Sequence, residues 1–152
     1  MGIFVKSAGM VSLVMKKVCL IGSFRFYREM LEVKEILESS GLKCFAPVPS
    51  KWRDPNDPSK FLANLPPEEE LIKDAYQAVL TCFKKIDDCD LIYIINKGGY
   101  VGKNTLIDIG YAFARNKPIY ALEPIDDLAV MSLVKAVISP IQLVELLSHT
   151  DK

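Results

Sequence analysis

The sequence has 152 residues, half of them hydrophobic, and its 19 basic residues balance its 19 acidic ones. A chain of this length forms one ordinary domain with a substantial core. The balanced charge argues against general nucleic-acid binding, which normally leaves a basic excess or stripe. Since no apolar run reaches the roughly 18 residues needed to span a bilayer, we expect neither a nucleic-acid polymer nor a membrane as a partner.

The first 15 residues, MGIFVKSAGMVSLVM, are apolar and do not fit a secretory signal. They are an incorrectly assigned start, an added edge strand or part of an oligomer contact. We treat 1–15 as an N-terminal extension to a domain spanning 16–152.

The four cysteines include no CxxC pair, so zinc binding by cysteine is not expected. Reduced cysteine behaves as a small buried hydrophobe. We therefore predict a reduced, cytoplasmic protein without a metal or cofactor. The single histidine, His149, is interpreted as an exposed residue at a helix end rather than a catalytic base.

Short apolar segments alternate with longer amphipathic ones along the chain. Strands are predicted at 17–22, 42–47, 90–96, 118–123 and 134–139, and helices at 26–41, 66–88, 103–117, 126–132 and 140–149. The proline-rich segment 47–67 is predicted to be a long loop. This alternation predicts a Rossmann/flavodoxin-like α/β fold, a three-layer sandwich whose five-stranded parallel sheet has the order 2-1-3-4-5.

Ligands of such sheets bind beyond the carboxyl ends of the strands, at the switch between the first and third strands. The first strand is followed there by Gly22, Ser23, Phe24 and Arg25, which are candidate ligand contacts. Arg25 is suited to meeting a phosphate, and solvation on the helix surface is the alternative.

The segment NKGGYVGKNT follows the third strand. It is not a P-loop, because its glycines are one residue too close and an asparagine separates its lysine from its threonine. We interpret Gly99 and Gly102 as positions where backbone approaches a ligand closely. Asn104 and Thr105 then open a helix whose free N–H groups face that ligand.

Asp108 stands about one turn inside this helix, near its positive end, where an ionised carboxylate is favoured. Its neighbours are almost all apolar, so we expect the carboxylate to face a cleft; a solvated acid that complements the helix dipole is the alternative. Gly110 is expected to let the helix pack tightly on a strand or ligand.

IGSF after the first strand, Asn96 at the end of the third, GYVG, and TLIDIGYA over 105–112 together resemble the nucleoside 2-deoxyribosyltransferases and their nucleotide N-hydrolase relatives. The signature of that family is G-T-x-x-E-x-G-x-A at the start of this helix. The resemblance implies an enzyme that transfers or hydrolyses the N-glycosidic bond of a nucleoside or nucleotide, with Asp108 as the nucleophile. It also implies a homodimer or larger oligomer, in which subunits complete one another's pockets.

Two positions depart from the family pattern. Asp108 replaces a glutamate, which shortens the nucleophile by one methylene. Asn96 stands where many members have an acid that contacts the sugar and orients the nucleophile, and an amide cannot act as a base. A non-catalytic nucleotide-binding module of the same fold is therefore the alternative function.

Two further candidates lie on the same edge of the predicted sheet. Glu123, at the end of the fourth strand, is a candidate substrate contact and proton donor, and an ordinary loop acid is the simpler interpretation. Trp52, in the long loop, either stacks on a nucleobase or pins the loop to the body of the protein.

Overall fold

The computed structural model describes residues 16–149, so the predicted extension at 1–15 lies outside the described residues, as does the side chain of His149. The strands are β1 (Lys17–Ile21), β2 (Lys43–Phe45), β3 (Arg53–Asp54), β4 (Asp57–Phe61), β5 (Leu91–Ile94), β6 (Ile119–Ala121) and β7 (Ala136–Val137). The α-helices are α1 (Tyr27–Ser39), α2 (Glu68–Asp88), α3 (Lys103–Ala114), α4 (Leu128–Met131) and α5 (Pro140–His149).

The main sheet has five strands in the order β2-β1-β5-β6-β7, and every neighbouring pair is parallel. This arrangement confirms the predicted order 2-1-3-4-5, with β5, β6 and β7 as the third, fourth and fifth sheet strands. At the switch point, Ile21 of β1 is paired with Ile94 of β5. Helices in every connection between these strands produce this topology, since parallel neighbours need crossovers.

The core has two parts because the side chains of a strand alternate between the faces of the sheet. Val18 and Leu20 belong to a cluster with Met30 of α1 and Leu143 of α5. The opposite cluster contains Cys19 and Ile21 of β1, Ile86 of α2, and Ile109 and Ala112 of α3. The predicted three-layer sandwich is therefore confirmed.

Residues in left-handed conformations end two of the helices. Gly41, at φ +92°, follows α1, and Asn116, at φ +62°, follows α3. At the other end of α1, the segment Phe24–Phe26 forms a 3₁₀ turn, so the helix begins one residue later than predicted. The expectation that Gly110 packs α3 tightly on a strand is wrong: among residues 16–149, a Cβ added to this exposed glycine would meet nothing within 4 Å. Its expected approach to a ligand remains a prediction.

The predicted loop at 47–67 contains an antiparallel hairpin, β3–β4. Its turn is closed locally, since Asp54 Oδ1 accepts a hydrogen bond from Asn56 N over 2.8 Å. The prediction missed this hairpin because β3 has two residues and β4 contains a proline, which strand patterns normally exclude.

Helix α2 is long relative to the sheet that it covers. Its 21 residues span about 31 Å, whereas the five residues of β1 span about 17 Å. The helix ends just before β5 begins, so its N-terminal half lies toward the carboxyl edge of the sheet. Within residues 16–149, no helix combines the length and apolarity needed to cross a membrane.

Candidate active site

Backbone segments meet closely at the carboxyl edge of the sheet. Ile95 N donates to Ile21 O over 2.8 Å. A Cβ placed on Gly22 would lie 2.6 Å from Ile95 O, so only glycine fits there. Gly99 is at φ +86°, and a Cβ on it would lie 2.9 Å from Pro124 O. The glycines at 22 and 99 thus allow backbone segments to approach one another, and the sequence-based expectation that they admit a ligand remains a prediction.

Asn96 joins the end of β5 to the end of β6. Its Nδ2 donates to Glu123 O over 2.7 Å, and its Oδ1 accepts from Glu123 N over 3.0 Å. The side chain is completely buried. The amide therefore fixes the spacing of two strand ends, and the expectation that Asn96 contacts the substrate remains a prediction.

The carboxylate of Glu123 accepts a hydrogen bond from Gly98 N over 2.9 Å. Gly98 is at φ +71°, in the left-handed region that glycine adopts readily. Glu123 thus orders the glycine loop after β5 and lies with Asn96 at the switch-point edge, as predicted. Its role as a proton donor remains a prediction.

The start of α3 carries the motif that resembles the family signature. Gly102 occupies the N-cap position without a side-chain cap, so free backbone N–H groups are exposed at this end. Asn104 is exposed and accessible to a ligand, whereas Thr105 is buried, with 3% of its surface exposed. Thr105 therefore packs into the fold.

Asp108 lies one turn further along α3 and is partly buried. Desolvation raises the pKa of its carboxyl to about 6, and a hydrogen bond from the Cys82 thiol of α2 opposes this rise. Burial thus favours the protonated form more than the Cys82 thiol favours the ionised one. Asp108 is therefore not freely solvated, and the expectation that its carboxylate faces a cleft remains a prediction.

Cys82 is the neighbour of Asp108 that the sequence did not identify. Burial, followed by the charge of Asp108, raises the pKa of the Cys82 thiol to about 12, so it remains a neutral donor. Cys19 and Cys89 lie nearby, and their mutual hydrogen bond raises the pKa of Cys19 and lowers that of Cys89. Residues 16–149 contain no group of three side chains arranged to hold a metal ion.

The segment after β1 contacts the glycine loop that follows β5. Ser23 Oγ accepts from Arg25 N over 3.2 Å and caps the 3₁₀ turn. The Arg25 guanidinium stacks on the ring of Tyr100, 3.6 Å from its centroid. Tyr100 also contacts Gly102, since an added Cβ there would lie 3.5 Å from the Tyr100 hydroxyl. The predicted residues Ser23, Arg25 and Gly102 are therefore brought together, with Tyr100 between the last two.

Phe24 is brought to the hairpin, where Arg53 lies 4.6 Å from its ring centroid. Trp52 Nε1 donates to Asp74 Oδ2 of α2 over 2.6 Å. Of the two interpretations of Trp52, this bond supports pinning of the loop, and its contact with a nucleobase remains a prediction. Cys82, Tyr100, Arg53 and Asp74 were all missed, because their roles depend on contacts between segments distant in sequence.

Comparison with known proteins agrees with the fold. Neither a protein-family model nor a curated protein matches the sequence. Among solved structures, a 2-deoxyribosyltransferase from Bacillus psychrosaccharolyticus is similar at 13% identity and a TM-score of 0.54, covering 84% of this chain and 89% of that one. This chain therefore has a 2-deoxyribosyltransferase-like fold. At this low identity, the similarity shows the fold alone.

Two other solved structures are more distant. A conserved protein from Enterococcus faecalis V583 is 14% identical with a TM-score of 0.49, covering 87% of this chain and 96% of that one. The flavoenzyme FerB, an NAD(P)H:(acceptor) oxidoreductase from Paracoccus denitrificans, is 17% identical with a TM-score of 0.42, covering 90% of this chain and 72% of that one.

Proposed function

We propose that this protein transfers or hydrolyses the N-glycosidic bond of a nucleoside or nucleotide, with Asp108 as the nucleophile. The observation that carries the proposal is the sheltered carboxylate at the start of the helix after the third sheet strand. Its raised pKa, about 6, still leaves roughly nine-tenths of the groups ionised at pH 7. A desolvated but ionised carboxylate is a suitable nucleophile.

The chemistry follows from this placement. The Asp108 carboxylate attacks the anomeric carbon of the sugar while the bond to the base nitrogen breaks, and an oxocarbenium-like transition state leads to a glycosyl-enzyme ester. The departing base takes up a proton. Attack by a second base on the ester gives transfer, and attack by water gives hydrolysis.

The surroundings of Asp108 support this role in two ways. The Cys82 thiol lowers the pKa of the carboxyl and so favours its ionised, nucleophilic form. The N-terminal half of α2 is also tied to the long loop, since Asp74 accepts a hydrogen bond from Trp52 Nε1. We expect a nucleoside bound at the carboxyl edge to contact this loop.

One observation favours the alternative, a nucleotide-binding module without catalysis. Asn96, at the position where family members carry a sugar-contacting acid, uses its amide to join two strand ends. A protein of this kind would bind nucleosides without turning them over.

The test is incubation with a panel of deoxynucleosides and deoxynucleotides, with and without a free base, followed by chromatography. New nucleoside indicates transfer, free base alone indicates hydrolysis, and calorimetric binding without products indicates the binding module. Asp108→Asn keeps the side-chain volume but removes the nucleophile, so turnover should fall by several orders of magnitude. Unchanged turnover in this variant would exclude Asp108 as the nucleophile.

Asp108→Glu tests the departure from the family signature. If the pocket suits the longer acid, activity is kept or raised. If it is built around aspartate and Cys82, the added methylene misplaces the attacking oxygen by about 1 Å, which can cost roughly a hundredfold in rate.

A further inference from the structure

An open groove of about 350 Å³ lies between the start of α1 and the segment that leads into hairpin β3–β4. Its size is near the lower limit for small-molecule sites. Three prolines form much of its wall, and its polar lining comes from Tyr27, Ser50, Lys51 and Arg53. The groove therefore combines a stiff backbone with two cationic side chains.

Arg53 is held firmly in the wall of this groove. Its guanidinium lies between the rings of Phe24 and Phe61, 4.6 Å from each centroid. Its Nη1 donates to Pro58 O over 2.9 Å. The side chain is partly buried, and desolvation lowers its pKa. These contacts fix one edge of the guanidinium and reduce the entropy lost when its other N–H groups bind a ligand.

The two groove cations have no carboxylate partner among residues 16–149, since the ion pairs found there involve other side chains. The neighbouring hairpin acids are used within the hairpin: Asp54 accepts from Asn56 N, and Asp57 accepts from Ser59. Neither acid lines the groove. The bond to Pro58 O uses one N–H donor of Arg53, so its other N–H groups and the Lys51 ammonium are the donors that an anion in the groove would meet.

We propose that this groove binds a phosphate monoester, the group carried by sugar phosphates and nucleotides. The Arg53 guanidinium and the Lys51 ammonium supply charge-assisted donors to the phosphate oxygens. Ser50 Oγ accepts from Trp52 N over 3.3 Å, which leaves its hydroxyl hydrogen to donate to the ligand. The site requires no chemistry at Asp108 and so does not depend on the proposed function.

Calorimetric titration of the whole protein with ribose 5-phosphate, ribose and inorganic phosphate tests this proposal. Ribose 5-phosphate is expected to bind at least about tenfold more tightly than ribose, because a charge-assisted hydrogen bond is worth about that much. Inorganic phosphate should compete with it. Equal affinities for ribose and its phosphate would overturn the proposal, and so would binding of inorganic phosphate without binding of the ester.

Substitutions locate the binding to the groove. Lys51→Gln and Arg53→Gln should each weaken ribose 5-phosphate binding about tenfold, whereas Lys60→Gln, on the same hairpin but paired with Asp57, should leave it unchanged. Arg53 also supports the hairpin, so Lys51→Gln, on an exposed side chain, decides the test if Arg53→Gln unfolds. Unaltered affinity in Lys51→Gln would overturn the proposal.

Discussion

The carboxyl of Asp108 on α3 lies close to the Cys82 thiol of α2, and each group shifts the pKa of the other. Burial raises the pKa of this carboxyl to about 6, and the thiol opposes the rise. Two neighbouring helices therefore set the protonation of the proposed nucleophile together. The activity and the stability of the protein are therefore expected to change with pH around this value.

Activity should decline as the pH falls through about 6, because only the ionised carboxylate attacks. Cys82→Ala removes the donor and should move this acid limb to higher pH, while Cys82→Ser keeps a donor and should move it less. The measurement is kcat/KM against pH for the three proteins. A limb centred near the ordinary aspartate value, or one unaffected by Cys82→Ala, would contradict the assignment.

Asp108→Asn should stabilise the protein above about pH 6. The pKa of Asp108 is raised in the folded state, so the folded protein binds the proton more tightly and loses stability as the pH rises from about 4 to 6. At neutral pH the buried charge therefore costs roughly 1–3 kcal/mol of folding free energy. The neutral amide of asparagine avoids this cost. Urea unfolding should show that Asp108→Asn is more stable than the wild type at pH 7.5. The difference in stability should be smaller at pH 4.5.

Asp87→Asn is the matched control, because its pKa shift has the opposite sign. Hydrogen bonds from Tyr111 and Arg115 lower the pKa of Asp87. The bond from the Tyr111 hydroxyl spans 2.7 Å and that from Arg115 Nε spans 2.8 Å. Loss of this carboxylate should destabilise the protein at pH 7.5. The loss of stability should become smaller at acidic pH, where the carboxyl of the wild type is itself protonated. A stability gain in Asp87→Asn, or a loss in Asp108→Asn, would contradict the two assignments.

The sequence predicted the sheet order and the segment that carries Asp108, because both follow from local patterns. Continuous apolar runs such as Leu91–Ile94 indicate buried parallel strands, and the glycine loop that follows marks the carboxyl edge. The sign of the pKa shift at Asp108 was not predictable from sequence. It depends on burial between two helices whose contact pairs Cys82 with a residue 26 positions away.

The contacts of the glycines and of Asn96 were likewise not predictable, because they join segments that are distant in sequence. Sequence shows that glycine is present, but the close neighbour of Gly22 is the backbone oxygen of Ile95, on another strand. Asn96 was correctly placed at a strand end, yet the partner of its amide, the Glu123 backbone, becomes visible only once β5 and β6 are adjacent. The positions of these residues were predictable from the sequence, but the groups that they contact were not.

The Trp52–Asp74 hydrogen bond should hold the long loop against α2. Its 2.6 Å length and charged acceptor indicate a contribution of roughly 1.5–3 kcal/mol at most. Asp74→Ala should lower the urea midpoint and speed tryptic cleavage within 51–60, where Lys51, Arg53 and Lys60 are targets. Asp126→Ala, an exposed acid on another loop, is the control. Unchanged cleavage in Asp74→Ala would show that the bond does not restrain the loop.

Trp52 also tests the remaining prediction for this loop. It is the single tryptophan of the sequence, so its emission reports on the loop alone. If the loop borders the nucleoside, emission should change on saturation with a nucleoside that calorimetry shows to bind. Unchanged emission under those conditions would remove Trp52 from the site.

The α2–α3 surface is the expected contact between subunits. It comprises large apolar side chains that are 40–61% exposed, namely Ile72, Tyr76, Leu80, Leu106, Ile107 and Phe113. Ile72, Tyr76 and Leu80 follow one another at helical spacing and lie along one stripe of α2. In the apolar segment YAFA at 111–114, Tyr111 stacks on Phe83 within the chain and Phe113 faces outward. Apolar surface of this kind commonly marks an interface.

We therefore expect light scattering at micromolar concentration to give at least the mass of a homodimer. Tyr76→Asp places a charge in the middle of the α2 stripe and should shift the protein toward monomer, because an unpaired charge is costly to bury. Leu128→Asp is the control, since Leu128 is 84% exposed on α4, outside this surface. If a neighbouring subunit completes the pocket, Tyr76→Asp should also lose turnover, and the loss should diminish at protein concentrations that restore the dimer. A monomeric wild type, or equal masses for wild type and Tyr76→Asp, would show that the surface does not join two copies of this chain.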